Sequence, residues 1–132
     1  MEDRYLFKAK HFDEWHIGNI VKEPDGLYIR DIKENVMAYI DDESTICQCT
    51  GLKDKNGKLI WENDIVAYWD AYNTENGQAE MDCIGKVVWD DETISFQVTN
   101  RLSAESYEVL DECSVIGNVF DNLELLESED KE

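Results

Sequence analysis

Positive charge is scarce in this chain: 12 Lys and Arg stand against 31 Asp and Glu, so the 132 residues carry a formal charge of −19 at neutral pH. A surface of that sign repels polyanions and anionic bilayers, so neither direct nucleic-acid binding nor membrane association is expected. Long apolar stretches are missing as well. The longest are five residues, Val36–Ile40 and Ile65–Trp69, where a bilayer span takes about 20. The opening residues Met1, Glu2, Asp3, Arg4 and Tyr5 lack both the apolar segment of a secretory signal and the Arg-rich character of a transit peptide, which makes the cytoplasm the expected compartment. Proline occurs once. Combined with 42% hydrophobic and 11% aromatic residues, that composition differs from a disordered acidic chain and predicts a folded core.

Chemistry-bearing motifs are equally sparse. None of the seven glycines builds Gly-x-Gly-x-x-Gly or a Gly-Lys-Ser/Thr ending, and no Gly-x-Ser-x-Gly elbow occurs, so nucleotide chemistry and serine hydrolysis have no support. With 31 acids, any carboxylate pair arises easily by chance and singles out no hydrolytic site. Both histidines lie in His11, Phe12, Asp13, Glu14, Trp15, His16. Five positions apart they point to opposite faces of a single strand, and no second cluster completes a ligand set, so an exposed loop is the expectation rather than a metal or acid/base site. Cys47 and Cys49 share one face of a strand, whereas Cys83 and Cys113 are isolated. Zinc knuckles pair their thiols more tightly, so four buried, reduced cysteines are expected. No metal, cofactor or catalytic residue is assigned.

What the sequence does contain is period-two alternation. It predicts strands at about 4–9, 16–22, 27–32 and 36–40, then at about 64–70, 82–89, 93–99, 106–111 and 115–120, with turns at Pro24, Asp25, Gly26, at Asn56, Gly57 and at Asp90, Asp91, Glu92. Helix is confined to short turns near Trp61–Asp64 and Asn122–Leu126. The fold class is therefore all-β: an N-terminal β lobe over 1–50, a small SH3-like barrel over 51–126, and a charged tail over 127–132. Trp69 and Trp89 fall on apolar strand faces and are assigned to the core, while Tyr68 and Tyr72 are candidates for exposure. The densest basic group, Lys53, Lys55 and Lys58 with Asn56, sits on a turn. Together with Trp61 it forms the one candidate interaction loop.

That same region carries the most specific signal. Residues Gln48–Val66, with Thr50, Gly51, Leu52, Lys53, Asp54, Lys55, Asn56, Gly57, Lys58 and then Asp64, Ile65, Val66, resemble the signature of the YopX family, approximately Gln-Tyr-Thr-Gly-Leu-Lys-Asp-Lys-Asn-Gly-Lys followed by Glu-Gly-Asp-Ile-Val. Val115–Leu126 resembles its closing Val-Ile-Gly-Asn-Ile-Tyr-Glu-Asn-Pro-Glu-Leu-Leu, and Phe7, Lys8, Ala9 is a weaker third match. Cys49 stands where the pattern has an aromatic, Asn63 where it has Gly, and Leu123 where it has Pro. Asn still tolerates a left-handed backbone, so the turn at 63 survives. The resemblance implies an origin in bacteriophages and prophages and an SH3-like β-barrel, and it brings no catalytic residue with it.

The leading expectation is a non-enzymatic phage accessory protein that binds an unidentified host or phage protein in the bacterial cytoplasm, or a further copy of itself. A DNA mimic is the alternative. Size scaling gives a folded area near 7,000 Å², or roughly 370 Å² per net charge, against roughly 100 Å² per charge on duplex DNA. Mimicry therefore requires the acids to gather on one face. An enzyme of unknown class ranks third and requires a polar pocket with displaced pKa values.

Overall fold

The computed structural model describes residues 5–99, 104–105 and 112–127. The chain divides into two compact units, Met1–Gly51 and Leu52–Glu132. All-β is the observed class. The strands are β1 (Phe7–His11), β2 (Glu14–Glu23), β3 (Gly26–Asp31), β4 (Met37–Tyr39), β5 (Cys47–Lys53), β6 (Leu59–Trp61), β7 (Asp64–Thr74), β8 (Gly77–Asp90), β9 (Ser95–Thr99), β10 (Ala104–Glu105) and β11 (Ser114–Asn118), followed by the helix α1 (Glu124–Glu127). They form two sheets, in the orders β4-β3-β2-β1-β5-β6 and β10-β9-β8-β7-β11.

In the first unit the hairpin β2–β3 runs in unbroken register from Gly18↔Asp31 to Glu23↔Gly26. Alternation then places Ile20 and Ile29 on one face. Ala9, Ile29, Ala38 and Ile40 form the buried centre, flanked by Ile20, Leu27 and Ile46. The sheet curls. Although β4 and β1 are separated by two strands, His11 Nδ1 lies 2.8 Å from the Tyr39 carbonyl oxygen and the Phe12 amide donates to Asp41 Oδ1 at 2.7 Å. Gly18 sits where a Cβ would lie 1.7 Å from the Arg30 carbonyl oxygen, so no larger residue fits there without moving backbone.

In the second unit β7 and β8 pair from Ile65↔Lys86 to Thr74↔Gly77. β9 joins β8 and β11 joins β7, with a bulge between Val115 and Gly117. Val66, Tyr68, Cys83, Val87 and Val98 share the inner face and pack with Ile60 and Cys113. Closure of this sheet into a barrel is not found among the described residues. The expected strand at 106–111 lies outside them, as does the tail from 128.

Several sequence expectations are corrected. Trp69 and Trp89 are 52% and 41% exposed. Trp69 lies on the face of β7 opposite Val66 and Tyr68; that face is covered at Ile65, which is fully buried, but no longer at Trp69, four residues further along the strand. Trp89 is on the inner parity but at the strand end, where it meets Phe96 edge-on at 5.0 Å and donates its indole N–H to Asp91. Tyr68 is buried rather than exposed, and Trp61 likewise. The histidine segment is a tight hairpin, not a loop: β1 and β2 pair from Phe7↔Gly18 to His11↔Glu14 around Phe12 and Asp13. All four cysteines are buried and unbridged.

Candidate functional site

The segment between β5 and β6 is built around one carboxylate. Asp54 is buried. Its Oδ1 accepts the amides of Asn56 and Lys58, each at 2.9 Å, and its Oδ2 accepts the amide of Val115 at 2.9 Å. An Asp followed two residues later by Asn-Gly is a turn signal, because the short acid mimics a backbone acceptor and the Gly accepts positive φ. Here Gly57 has φ 83°, with no atom near its missing Cβ. Backbone bonds complete the loop: Asp54 N–H to the Lys58 carbonyl at 2.8 Å, Gly57 N–H to the Asp54 carbonyl at 3.0 Å, and Lys55 N–H to the Cys113 carbonyl at 3.0 Å. The Asn56 side chain also donates from Nδ2 to Ser114 Oγ at 3.1 Å. The first half of the loop, residues 54–56, is thereby fastened to the residues just before and within β11.

Burial by itself would raise the Asp54 pKa. The three backbone N–H donors, with the Lys58 charge behind them, outweigh it and hold the carboxyl below its usual range. A group held ionised this way is a structural anion. Lys53, Lys55, Asn56 and Lys58 are exposed around it, and the three ammonium groups form no ion pair among the described residues. A chain of net charge −19 thus displays a small cationic rim on a backbone that cannot easily rearrange.

The next part of the signature repeats the device. Asp64 is buried and its Oδ2 accepts the Trp61 amide at 2.8 Å. Asn63 takes the left-handed conformation, φ 69°, while its N–H bonds the Val87 carbonyl and its carbonyl accepts the Val119 amide. Trp61 lies inside this turn, so it drops out of the contact surface and joins the core. In the closing segment Asn118 Oδ1 accepts the amides of Phe120 and Asp121, and Asn122 Oδ1 accepts the Asn118 amide. Gly117 leaves room for Asn122, whose Oδ1 a Cβ would meet at 2.5 Å.

Sequence reading finds the loop and its lysines but misses Asp54 as its organiser and Asp64 as that of the next turn. The Asp-x-Asn-Gly spacing was the available signal. It also missed the buried pair in the first unit, where His16 Nδ1 lies 2.9 Å from Asp31 Oδ2 and nothing in the local pattern joins residues 15 apart.

The two distant stretches that carried the family resemblance therefore meet in space, the Asp54 carboxylate joining the first to Val115 at the start of the second. Comparison with curated proteins finds no match. The model of the YopX protein family matches residues 10–127, which takes in both stretches, and the chain belongs to the YopX family.

Proposed function

We propose that this is a phage- or prophage-encoded accessory protein that works without catalysis, binding a protein partner in the bacterial cytoplasm through the loop 53–58. One observation carries the reading: Lys53, Lys55 and Lys58 are exposed, and without an ion pair among the described residues, on a loop whose backbone is pinned by Asp54. Rigidity matters because ordering mobile side chains and loops on association costs free energy, and a pre-organised loop avoids much of that cost. The lysines favour an acidic surface on the partner, and against the surrounding negative field they also fix the orientation of approach. A further copy of this chain, itself strongly acidic, fits the same description.

The test is a pull-down from bacterial lysate at moderate salt, run in parallel with the wild-type chain and a Lys53→Glu, Lys55→Glu, Lys58→Glu variant. The expected result is a reproducible partner retained by the first and lost by the second. Equal retention by both would place recognition elsewhere, and no reproducible partner would reject the reading.

A further inference from the structure

The outward face of β1 to β4 departs from the chemistry of the rest of the chain. Opposite the buried side chains of Ala9, Ile29 and Ala38, strand register gathers other residues into rows on one side of the sheet. Lys10 stands beside Trp15 and Lys8 beside Ile17. The Ile32 amide donates to the Ile17 carbonyl at 3.0 Å and carries that row across to the end of β3. In the next row Asn19 pairs with Arg30 and Arg30 with Met37; beyond it Val21 pairs with Tyr28 and Tyr28 with Tyr39. No position in these rows is a carboxylate, in a chain that has 31. The acids of β2 and β3 point to the other side, as Glu14 and Asp31 do, or stand at the turn, as Glu23 does.

Ile17, Ile32 and Met37 are 38%, 54% and 39% exposed, and Arg30 is exposed with no ion pair among the described residues. At one end of this apolar strip the ammonium groups of Lys8 and Lys10 lie 4.6 and 5.1 Å from the centre of the Trp15 ring, a contact that holds two positive charges in place. At the other end Tyr28 and Tyr39 meet edge-on at 5.4 Å. Contiguous exposed apolar surface marks interaction sites, and Trp, Tyr, Met and Arg without carboxylates is the composition of a protein interface core. We propose that this face docks an acidic protein segment, whose carboxylates meet Arg30, Lys8 and Lys10 while its apolar side chains cover Ile17, Ile32 and Met37. Charge complementarity selects that occupant. The field of the whole chain, at −19, opposes a nucleic acid, and the same face of a second copy would set cation against cation. The loop 53–58 belongs to the other unit, so the two surfaces can be tested separately.

The experiment titrates the full chain, in about 0.1 M NaCl, with three probes followed by NMR: an end-blocked peptide of repeated Glu-Phe-Glu-Ser, the same peptide with Gln for Glu, and an oligothymidylate of equal charge. The acidic peptide is expected to shift the Trp15 indole resonance and the backbone amides of Ile17, Arg30 and Ile32. Replacing its Glu by Gln, or changing the protein by Arg30→Glu with folding checked by circular dichroism, is expected to weaken binding by about threefold or more, because reversal both removes an attraction and adds a repulsion. Ile32→Ser should weaken it as well, whereas the Lys53→Glu, Lys55→Glu, Lys58→Glu variant should still show the same shifts on this face. Shifts confined to the loop 53–58, or lost in that triple variant, would assign the contact to the loop and overturn the proposal. So would equal affinity for the Gln peptide, unchanged affinity in Arg30→Glu, tighter binding of the oligothymidylate, or no shift on this face with any probe.

Discussion

Asp54 and Asp31 show how much of this fold depends on single carboxylates that accept from backbone amides. Asp54→Ala orphans three amide donors and is expected to cost about 3 kcal/mol, read as a fall in the denaturation midpoint. Substituting the exposed Lys55 with Ala should change stability by less than about 0.5 kcal/mol. The acid side of the stability profile follows from the same two groups. Asp31 is held below its ordinary range first by the Glu34 amide and then by His16 and the Lys33 amide against the opposing effect of burial; Asp54 is lowered by its own three amides. A carboxyl with a depressed folded pKa contributes stability above its unfolded value, about 3.9, and loses it as the pH falls through the folded one. Wild-type protein should therefore lose stability steeply below about pH 4, and Asp31→Asn or Asp54→Asn, though less stable at neutral pH, should show a shallower acid limb in urea titrations at stepped pH.

At the scale of elements, turns decide more than strands. Asn63 occupies a left-handed position with both its backbone polar groups engaged, so Asn63→Gly is expected to change stability by less than about 0.5 kcal/mol, whereas Asn63→Val should cost about 1–2 kcal/mol by thermal melting. Gly85 is different, being constrained by space: a Cβ there would lie 2.7 Å from Val98 Cγ1 and 2.8 Å from the Thr99 carbonyl oxygen. Gly85→Ala should push β8 from β9 at a cost of about 1–3 kcal/mol, seen as faster amide exchange along β9. The same contrast explains what was legible beforehand. Strands such as Gly26–Asp31 and Ser95–Thr99 were readable from alternation because one of their faces is buried. How far along a strand a face stays covered is set by partners far along the chain: Ile65 is buried, whereas Trp69 on the same face of β7 is exposed. The hairpin at Phe12 was hidden because Phe at φ 53° is not a turn former, and its geometry is supported by the bond from Asp41, 29 residues away. The loop of Lys53–Lys58 was visible as a turn, whereas the reach of Asp54 to Val115, 61 residues on, was not.

For the molecule as a whole, −19 net charges repel one another across a folded surface and are relieved when the chain expands. Added salt screens that repulsion, since the Debye length falls from about 30 Å at 0.01 M to about 10 Å at 0.1 M. The melting temperature of the wild-type chain should accordingly rise with NaCl over that interval, as scanning calorimetry would show, and a falling one would mean that specific ion pairs outweigh the general field. The two cores, one around Ile29 and the other around Val98, are made of different residues. Ile29→Ala and Val98→Ala should therefore each reduce amide protection mainly in their own unit.

The Asp54 carboxylate has one further consequence, for how kinship within the family is to be understood. Its oxygens meet amides from both signature stretches, so the fingerprint by which members are recognised describes a fastening inside the scaffold. The same signature carries Lys53, Lys55 and Lys58, which stand exposed around that buried anion. The fingerprint therefore couples an internal structural anion to an external cationic rim, and a substitution of Asp54 would disturb the presentation of all three lysines without touching their charge.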